Sequence, residues 1–385
     1  FTATDNSDNA LTNGTLSFTF YPASFTVTPG STTPAAGSPF TLTATAKDSG
    51  GTTVTRYSGT VALSVNYTSP TSGTKTLSST SATCSAGVCT VASLSYPDAG
   101  SITITVKDTT YVSGVTIQGT SATLTMMPAN LSLTLRPLPA SLTKVYVNQP
   151  FEMIVKALAA DGQVTPNYRG TVTLASTGAS IGTATHAFPV ADLASYTFTD
   201  LRANGAGVAA VTATDGTVTS PAVNVSVRAA KLIFNPATGP PGNIYSGVYI
   251  KDLGTNTIVS EDQSTQISVT LQSPTAGSAA TLVNAASLAR VSSGIVPLTI
   301  QKPDEGDVTI TGSVQSFSMP VESALLRWAN GATSTSATTF QVLQFEMAPS
   351  STYTYPTSFT PSPSFYSPTS SFSPTTSGFT PTTSF

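Results

Sequence analysis

Charge is the scarcest property of this sequence. Its 385 residues include 15 Lys and Arg and 18 Asp and Glu, only 9% of the chain, whereas a soluble domain usually carries roughly 25%. The formal net charge is −3. So few basic residues exclude the electrostatic attraction on which binding to nucleic acid or an anionic membrane depends. We therefore expect neither as a partner.

Residues that support catalysis or bind metals are scarce as well. One His and two Cys are too few for most metal, haem or Cys/His sites. His186 stands in a Thr-rich stretch, and no Gly-x-Ser-x-Gly motif accompanies it in a strand-to-helix context, so we interpret it as a surface or structural residue facing outward. We expect no enzyme activity and no cofactor. Asp5 and Asp8 are a weak Ca²⁺ candidate, because Ca²⁺ needs roughly six to eight oxygen ligands.

Long apolar runs and helical patterns are missing too. No run approaches the ~18 residues of a membrane-spanning helix, and only the Ala-rich stretch 285–290 could form a single helical turn. The chain opens with Phe1 and shows no basic-then-apolar leader, which predicts a processed mature chain or a segment of a longer one.

The two cysteines lie close together, at Cys84 and Cys89, on either side of a Gly turn. This spacing suits a disulfide across a hairpin in an oxidising compartment. The alternative is a pair of reduced thiols in a cytosolic strand. The rest of the composition favours an extracellular or cell-surface location.

Ser and Thr take the place of charge, with 52 Ser and 69 Thr, about 31% of the chain. They alternate with apolar residues, for example over 40–46, 101–106 and 223–227. This period of two predicts half-buried antiparallel strands with Thr and Ser outward. Turn residues recur at roughly 8–12-residue intervals, which is typical of all-β sandwiches.

Internal repeats are the strongest signal. Phe40 is followed after 17 residues by Tyr57, which opens a Tyr-x-Gly-Thr-Val motif, and Phe151 is followed in the same way by Tyr168. An Ala-Gly corner then precedes a Thr-rich strand in both units, and a third copy contains Asp304, Glu305 and Asp307, which we interpret as a charged sheet corner rather than an acid/base pair. The unit of about 100 residues and about seven strands has the size of an immunoglobulin-like (Ig-like) sandwich.

The repeats predict tandem Ig-like β-sandwich domains, followed by an extended tail. Residues 1–24 match the last two strands of a unit; they are part of a longer array, or they complete a sheet on another subunit. Trp328 is interpreted as a buried cap of the third unit. The predicted segments are 1–24 (incomplete unit), 25–128 (domain 1), 129–229 (domain 2), 230–348 (domain 3 with a connecting segment) and 349–385 (tail).

The predicted tail differs from the rest of the chain in amino-acid composition. Residues 349–385 carry no charge, and 21 of these 37 residues are Ser or Thr. With its Pro residues this composition predicts an extended, O-glycosylated segment; the alternative is a disordered tail. Five regularly spaced aromatics are candidate subunit contacts: Phe359, Phe365, Phe372, Phe379 and Phe385. The candidate O-glycosylation sites are Thr360, Ser362, Ser364, Ser367, Thr369, Ser373, Thr375, Thr380 and Thr382.

The aromatic after Gly-x-Pro, the Tyr-x-Gly-Thr-Val motif and the Ala-Gly corner resemble those of bacterial extracellular proteins with tandem Ig-like repeats. Invasin- and intimin-like adhesin stalks and pilus-associated surface proteins of the MshQ type are similar. The resemblance covers 25–228 well and 229–328 loosely. It implies an exported, elongated stalk or adhesive structure, and it brings no catalytic residues.

Three functions follow as hypotheses. The first is a structural component of an extracellular rod, filament or stalk, which could polymerise with itself through terminal strands or join other surface proteins. The second is an adhesin array that binds glycans or a receptor. The third is a set of accessory domains of a larger secreted enzyme.

Overall fold

The computed structural model describes most of the first 334 residues. The Ca²⁺ candidates Asp5 and Asp8 and the whole predicted tail, with its Phe residues and glycosylation candidates, lie outside the described residues. The described residues are 2–3, 14–15, 21–71, 73, 75–136, 138–139, 142–262, 264–272, 277–284, 287–289 and 294–334.

The chain is all-β, as predicted, and its strands form Ig-like sandwiches. Alternation decides the strands: in the strand Phe40–Lys47 the apolar positions are buried and the Thr positions between them are more exposed. In the described part of the chain the only helical element is a 3-10 turn at Val190–Asp192. No helix there is long and apolar enough to cross a membrane.

The start of the chain contains a short antiparallel pair, β1 (Thr2–Ala3) and β2 (Gly14–Thr15). Thr2 lies opposite Thr15, and Ala3 opposite Gly14. The remaining residues of the predicted strand pair, apart from 21–24, are outside the described part.

Domain 1 is a sandwich whose two halves share one strand. The hydrogen-bonded order is β10-β8-β5-β6-β7-β4-β3, and β9 also pairs with β8. Because β6 pairs with both β5 and β7, it passes from one half to the other. Its strands are β3 (Ser24–Pro29), β4 (Phe40–Lys47), β5 (Thr60–Ser69), β6 (Ser81–Ser85), β7 (Val88–Leu94), β8 (Gly100–Asp108), β9 (Ile117–Thr120) and β10 (Leu124–Met126).

The β6–β7 hairpin carries the disulfide between Cys84 and Cys89, which lie opposite each other in the register. Both half-cystines are buried in the domain 1 core. The turn between them has positive φ at Ala86 and Gly87. A side chain at Gly87 would also meet the Val54 carbonyl oxygen, 2.5 Å from an ideal Cβ, so this turn requires glycine.

Domain 2 has two separate sheets, β11-β13-β16 and β12-β18-β17-β14-β15. Its core is filled by inward residues of both, such as Val155 and Val211. The strands are β11 (Asn130–Leu135), β12 (Val145–Tyr146), β13 (Pro150–Leu158), β14 (Thr171–Gly178), β15 (Ala184–Ala187), β16 (Ser195–Arg202), β17 (Gly207–Thr214) and β18 (Val223–Arg228).

Domain 3 also has two sheets, β23-β25-β21-β19-β27 and β20-β28-β26-β22-β24. Trp328 is buried in its core, as predicted, and its indole N–H donates to the Gly242 carbonyl at 2.9 Å. The strands are β19 (Ala230–Phe234), β20 (Ala237–Gly239), β21 (Gly242–Asp252), β22 (Gln266–Leu271), β23 (Thr281–Leu282), β24 (Ser287–Ala289), β25 (Ile295–Lys302), β26 (Gly306–Val314), β27 (Val321–Glu322) and β28 (Ala324–Trp328).

The suggested helical turn at 285–290 is wrong. Residues Ser287–Ala289 form β24, which pairs antiparallel with β22. A single helical turn fixes several backbone angles for one hydrogen bond, whereas the edge of β22 offers several hydrogen bonds at once.

Candidate functional site at the domain joints

The repeated Tyr-x-Gly motif is a structural corner. Tyr168 donates to Asp215 Oδ2 at 2.9 Å, and Tyr57 donates to Asp108 Oδ2 at 2.5 Å. Burial, followed by the hydrogen bond to the carboxylate, raises the pKa of both tyrosines. Gly170 is required because an ideal Cβ there would lie 2.1 Å from the Tyr168 hydroxyl.

His186 lies in a half-buried cluster of domain 2. Its Nε2 is 2.5 Å from Asp192 Oδ2, and its ring stacks on Tyr196. The outward orientation expected from the sequence is therefore only partly correct, because the loop after Phe188 folds back over the ring. The contacts are those of a structural residue.

The first joint connects domains 1 and 2 through the Ala-Gly corner of domain 1. Ala99 belongs to the buried core of domain 2, although it is part of domain 1 in sequence. Asp98 is 1% exposed and accepts hydrogen bonds from the Ala99 and Asn167 backbone N–H groups. The Ala160 N–H donates to the Ala36 carbonyl across the same joint. The joint is thus closed by backbone and side-chain contacts.

Asp98 is electrostatically unusual. Burial raises its pKa, and hydrogen bonds from Asn167 and Ala99, with the charges of Lys75 and Arg169, offset only part of this effect. The carboxylate is therefore held in the joint at the cost of its desolvation.

The second joint connects domains 2 and 3, and domain 2 supplies part of the domain 3 core. Leu142 and Tyr146 are buried there, and the Tyr146 ring stacks on Phe317 with centroids 5.7 Å apart. The Tyr146 hydroxyl donates to Asp262 Oδ2 at 2.9 Å. An aromatic of one domain thus fills a place in the core of the next.

Asp262 accepts hydrogen bonds through both of its carboxylate oxygens. Its Oδ1 accepts from the backbone N–H groups of Ser264 and Thr265 and from the Ser264 hydroxyl. Burial alone would raise the pKa of Asp262, but hydrogen bonds from Thr265, Ser264 and Tyr146 outweigh it and hold the pKa below its usual range. Tyr146 therefore meets an ionised carboxylate.

Arg228, the last residue of β18, covers this contact. Its guanidinium lies over the Tyr146 ring, 5.5 Å from the centroid, which is within cation–π range. Nη2 is 2.6 Å from Glu261 Oε1, and Nη1 is 4.0 Å from Asp252 Oδ2. The side chain is 6% exposed, so a domain 2 cation is buried against two domain 3 carboxylates.

Two adjoining clefts open at this joint. They have volumes of about 260 and 380 Å³ and share Lys144, Arg228, Asp252 and Thr255. The smaller is also lined by Thr143, Thr257, Ile258, Val259 and Glu261; the larger by Ala206, Gly207, Val227, Ala229, Leu253 and Gly254.

The corner at 304–307 in domain 3, which is the third copy of the Ala-Gly corner, is held together by ion pairs. Lys302 is fully buried and pairs with Asp304, and its ammonium also donates to the Glu305 carbonyl at 3.0 Å. The hydrogen bond from Lys302, then that from Ser278, lowers the pKa of Asp304 to about 2. Asp307 pairs with Arg327. The Glu305 carboxylate accepts instead from the Asn330 N–H at 2.6 Å. The three carboxylates thus have separate partners, in agreement with a charged sheet corner.

The sequence predicts which elements lie at the domain joints, namely the Ala-Gly corners, but it does not predict the contacts that those joints contain. The Ala-Gly corners are visible as repeats, whereas the sequence does not predict Asp98, Tyr146, Arg228 and Asp262 as contacts between domains. One feature of the sequence could have pointed to Arg228 as a joint residue. It is an isolated basic residue at the end of an alternating strand, immediately before the domain boundary predicted at 229. Among the described residues no group of three or more His, Cys, Asp and Glu could hold a metal ion.

Comparison with known proteins gives one family match. Residues 98–275 match the model described as "DUF6701, third domain". This stretch contains nearly all of domain 2 as predicted at 129–229, with Asp98 of the first joint on one side and Asp262 of the second on the other. No curated protein matches the chain.

Solved structures of bacterial adhesins are similar to this chain at low identity. FdeC, an adhesin of Escherichia coli, is 17% identical with a TM-score of 0.42, over 82% of this chain and 100% of that chain. Invasin, a bacterial integrin-binding protein, is 16% identical with a TM-score of 0.27, over 77% and 60%. The Yersinia pseudotuberculosis adhesin InvE is 14% identical with a TM-score of 0.25, over 52% and 60%. At these values no function transfers to this chain.

Proposed function

We propose that this chain is a structural segment of an extracellular surface stalk that works without catalysis. The pair of joints carries the proposal: Ala99 lies in the core of domain 2, and Leu142 and Tyr146 lie in the core of domain 3. Bending at such a joint would expose apolar surface to water, which costs a free energy of about 25 cal/mol for each Å² exposed. Interlocked domains transmit position and force along a chain.

The surface chemistry supports an exported location. Thr and Ser occupy outward strand positions, as in β4, so the domains stay soluble with few charges. The disulfide between Cys84 and Cys89 suits an oxidising compartment. We place the chain among stalks of the kinds that its motifs resemble, those of invasin- and intimin-like adhesins or of pilus-associated proteins of the MshQ type.

Replacement of the array in the producing cell tests the stalk function. Residues 25–334 are exchanged either for an unrelated rigid array of three Ig-like domains or for a flexible Gly/Ser linker of equal reach. Immunogold microscopy then measures the distance of a C-terminal tag from the cell surface. The rigid array should restore the native distance and the linker should shorten it. A linker that performs as well as the native domains would contradict the proposal.

A filament form would add contacts between subunits through residues 1–24 or the tail 349–385, with O-linked sugar on the tail. Electron microscopy and intact mass of the native material test this extension. Fibres support the filament part, and a fall in mass after enzymatic removal of O-linked sugar supports the glycan part. Single particles whose mass does not change on this treatment would reject both parts and leave the stalk.

A further inference from the structure

One sheet of domain 3 presents an apolar face to solvent. In β4 of domain 1 and in β26 of the other domain 3 sheet, Thr residues such as Thr309 and Thr311 occupy outward positions. In the sheet β23-β25-β21-β19-β27, by contrast, several outward positions are aromatic or aliphatic. We call this surface the outer patch, and it consists of Val283, Pro297, Ile295, Tyr245, Tyr249 and Ile233.

Strand alternation places the members of the outer patch on the side away from the core. Tyr245 and Tyr249 in β21 alternate with core residues such as Val248. Val283 follows β23 and is still paired with β25, because its N–H donates to the Thr299 carbonyl at 2.9 Å. Tyr245 is 44% exposed and Val283 is 58% exposed. Large apolar side chains therefore meet solvent on this face.

A glycine at the centre of β21 makes the outer patch continuous. An ideal Cβ at Gly247 would lie 3.1 Å from Ile295 Cγ2, so the Ile295 side chain lies over this glycine. Gly247 stands between Tyr245 and Tyr249 in the strand. Pro297 is exposed in β25, where it lies opposite Gly247. Aliphatic surface thus joins the two tyrosine rings.

The outer patch and the predicted tail are both uncharged. The charged neighbours of the patch, Lys231, Lys251 and Glu322, lie at one edge, where Lys231 pairs with Glu322. The tail, 349–385, carries no charge and has a Phe every six or seven residues. A contiguous exposed apolar surface marks a place of contact with a partner. Phe rings can be buried on this one without the desolvation of a charge.

The spacing of the tail Phe residues matches the dimensions of the outer patch. From Val283 to Ile233 the patch crosses three strand spacings of ~4.8 Å and four residues of ~3.3 Å each, which gives a diagonal of about 19 Å. In a polyproline II segment, at ~3.1 Å per residue, Phe residues six or seven positions apart are separated by about 19–22 Å. Two consecutive Phe rings therefore reach the two ends of the patch together.

We propose that the outer patch binds the Phe-rich segment 359–385 of a neighbouring copy of this chain, with one Phe beside Tyr245 and the next beside Tyr249. This inference rests on the filament form of the proposed function, because it names the surface that the tail contacts. Pro residues between the Phe residues keep the segment extended, so less conformational entropy is lost on binding. Because the tail and the patch are different surfaces, the contact is heterologous and can propagate from copy to copy.

Sedimentation of the full chain tests the patch. Tyr245→Ser removes an exposed ring and should weaken self-association by about 10-fold, on the scale of the burial of one aromatic side chain. Leu325→Ser is the matched control, because Leu325 is 46% exposed on the other sheet of the same domain. It should leave association nearly unchanged. Circular dichroism checks that both variants are folded.

Changes in the tail test the occupant and do not touch the folded domains. Replacement of the five tail Phe residues by Ser should abolish association, whereas replacement by Leu, which keeps apolar side chains, should retain most of it. Insertion of Ser-Thr-Ser into each interval between these Phe residues should also weaken association, because the spacing no longer matches the patch. The same insertion before Pro349 keeps the spacing and should have little effect.

Cross-linking locates the contact. The variant Phe372→benzoylphenylalanine of the full chain is irradiated in an equal mixture of unlabelled and ¹⁵N-labelled copies. We expect cross-linked peptides that join the tail of one isotope to β21 or β25 of the other. Cross-links that never join the two isotopes, or that lie outside the strands of the outer patch, would overturn the proposal.

The sedimentation results separate this inference from the filament form on which it rests. Association that survives the loss of all five tail Phe residues would overturn the inference and leave the filament form standing. If such association were still weakened by Tyr245→Ser, the partner of the patch would be the same patch on a second copy. A full chain that does not associate at all would overturn both.

Discussion

At the scale of single residues, one missing methyl group determines a corner of the fold. The Tyr168 ring crosses directly over Gly170 to reach Asp215, and an alanine Cβ would lie 2.1 Å from the hydroxyl. The tyrosine and the glycine are therefore one structural unit. This explains why the two residues recur together in the sequence at 57–59 and 168–170.

Gly170→Ala should destabilise domain 2 by about 1–3 kcal/mol, the usual cost of forcing extra volume into a packed site. Urea unfolding measures the change. Gly205→Ala is the matched control in the same domain, because an added Cβ there meets nothing within 4 Å. Equal effects of the two substitutions would show that the Tyr168 contact is not the cause.

Asp98→Asn tests the buried carboxylate of the first joint. The folded-state pKa of Asp98 is raised, so its contribution to stability is fully present below the unfolded value of about 3.9 and is lost as pH rises through the folded pKa. Asn keeps an acceptor oxygen and does not ionise. The variant should match the wild type below about pH 3.9 and be more stable than the wild type at neutral pH.

Melting temperatures from pH 3 to 8 give this comparison. Asp161→Asn, on an exposed turn, controls for the loss of one negative charge. A difference between Asp98→Asn and wild type that stays constant over the whole range would contradict the assignment of the effect to ionisation of Asp98.

At the scale of elements, alternation predicted the long central strands and missed the short ones. β4 and β8, which alternation over 40–46 and 101–106 predicted, alternate over eight or nine residues, so burial on one face determines them. β12, β20 and β27 have two or three residues and pair in parallel with β18, β28 and β19. A strand of two or three residues is too short to show an alternation of apolar and polar residues. It forms because a neighbouring strand offers backbone hydrogen bonds, which the local sequence does not reveal. The prediction of a helical turn at 285–290 was wrong for the same reason, because the strand at 287–289 has only three residues.

The joint residues escaped prediction on physical grounds as well. Tyr146 contacts Asp262, which is 116 positions away in the sequence, and no local pattern encodes such a pairing. The repeat register did identify the Ala-Gly corners that meet at the joints. Sequence comparison between units thus finds equivalent positions, whereas contacts between units require the structure.

The β6–β7 hairpin provides a prediction for one element. Cys84 and Cys89 are separated by five positions, so the disulfide closes a short loop and should contribute about 2 kcal/mol. The double substitution Cys84→Ala and Cys89→Ala should lower the calorimetric transition of domain 1 more than those of domains 2 and 3. Domains 2 and 3 serve as internal comparisons, and an equal shift in all transitions would contradict the local effect.

At the scale of the whole described array, side-chain hydrogen bonds couple the stability of one domain to that of the next. Tyr146 binds Asp262 through Oδ2, and Asp262 holds the Ser264 and Thr265 N–H groups through Oδ1. Tyr168 and Asp215 repeat this arrangement inside domain 2, where Asp215 holds the N–H groups of the loop that follows. Tyr57 and Asp108 do the same in domain 1. The same chemistry thus serves within domains 1 and 2 and between domains 2 and 3.

Tyr146→Phe should destabilise the second joint by about 1.5–3 kcal/mol, the range for a hydrogen bond to a charged group. Hydrogen exchange by mass spectrometry should show faster exchange at Ser264 and Thr265, in domain 3, although the substitution is in domain 2. Tyr168→Phe is the matched control and should speed exchange at Thr217 and Val218 only. Unaltered exchange at 264–265 in Tyr146→Phe would show that the joint is not coupled in this way.

The position of Tyr146 also bears on how such arrays are inherited. Leu142 and Tyr146 are encoded with domain 2 but complete the core of domain 3, and Ala99 has the same relation to domain 2. A gene crossover at the covalent boundary near 229 would therefore deliver a third sandwich without two of its core residues. Segment 142–146 also supplies β12 to the domain 2 sheet. We therefore expect a viable crossover to keep domains 2 and 3 together, so the unit of recombination is larger than one sandwich.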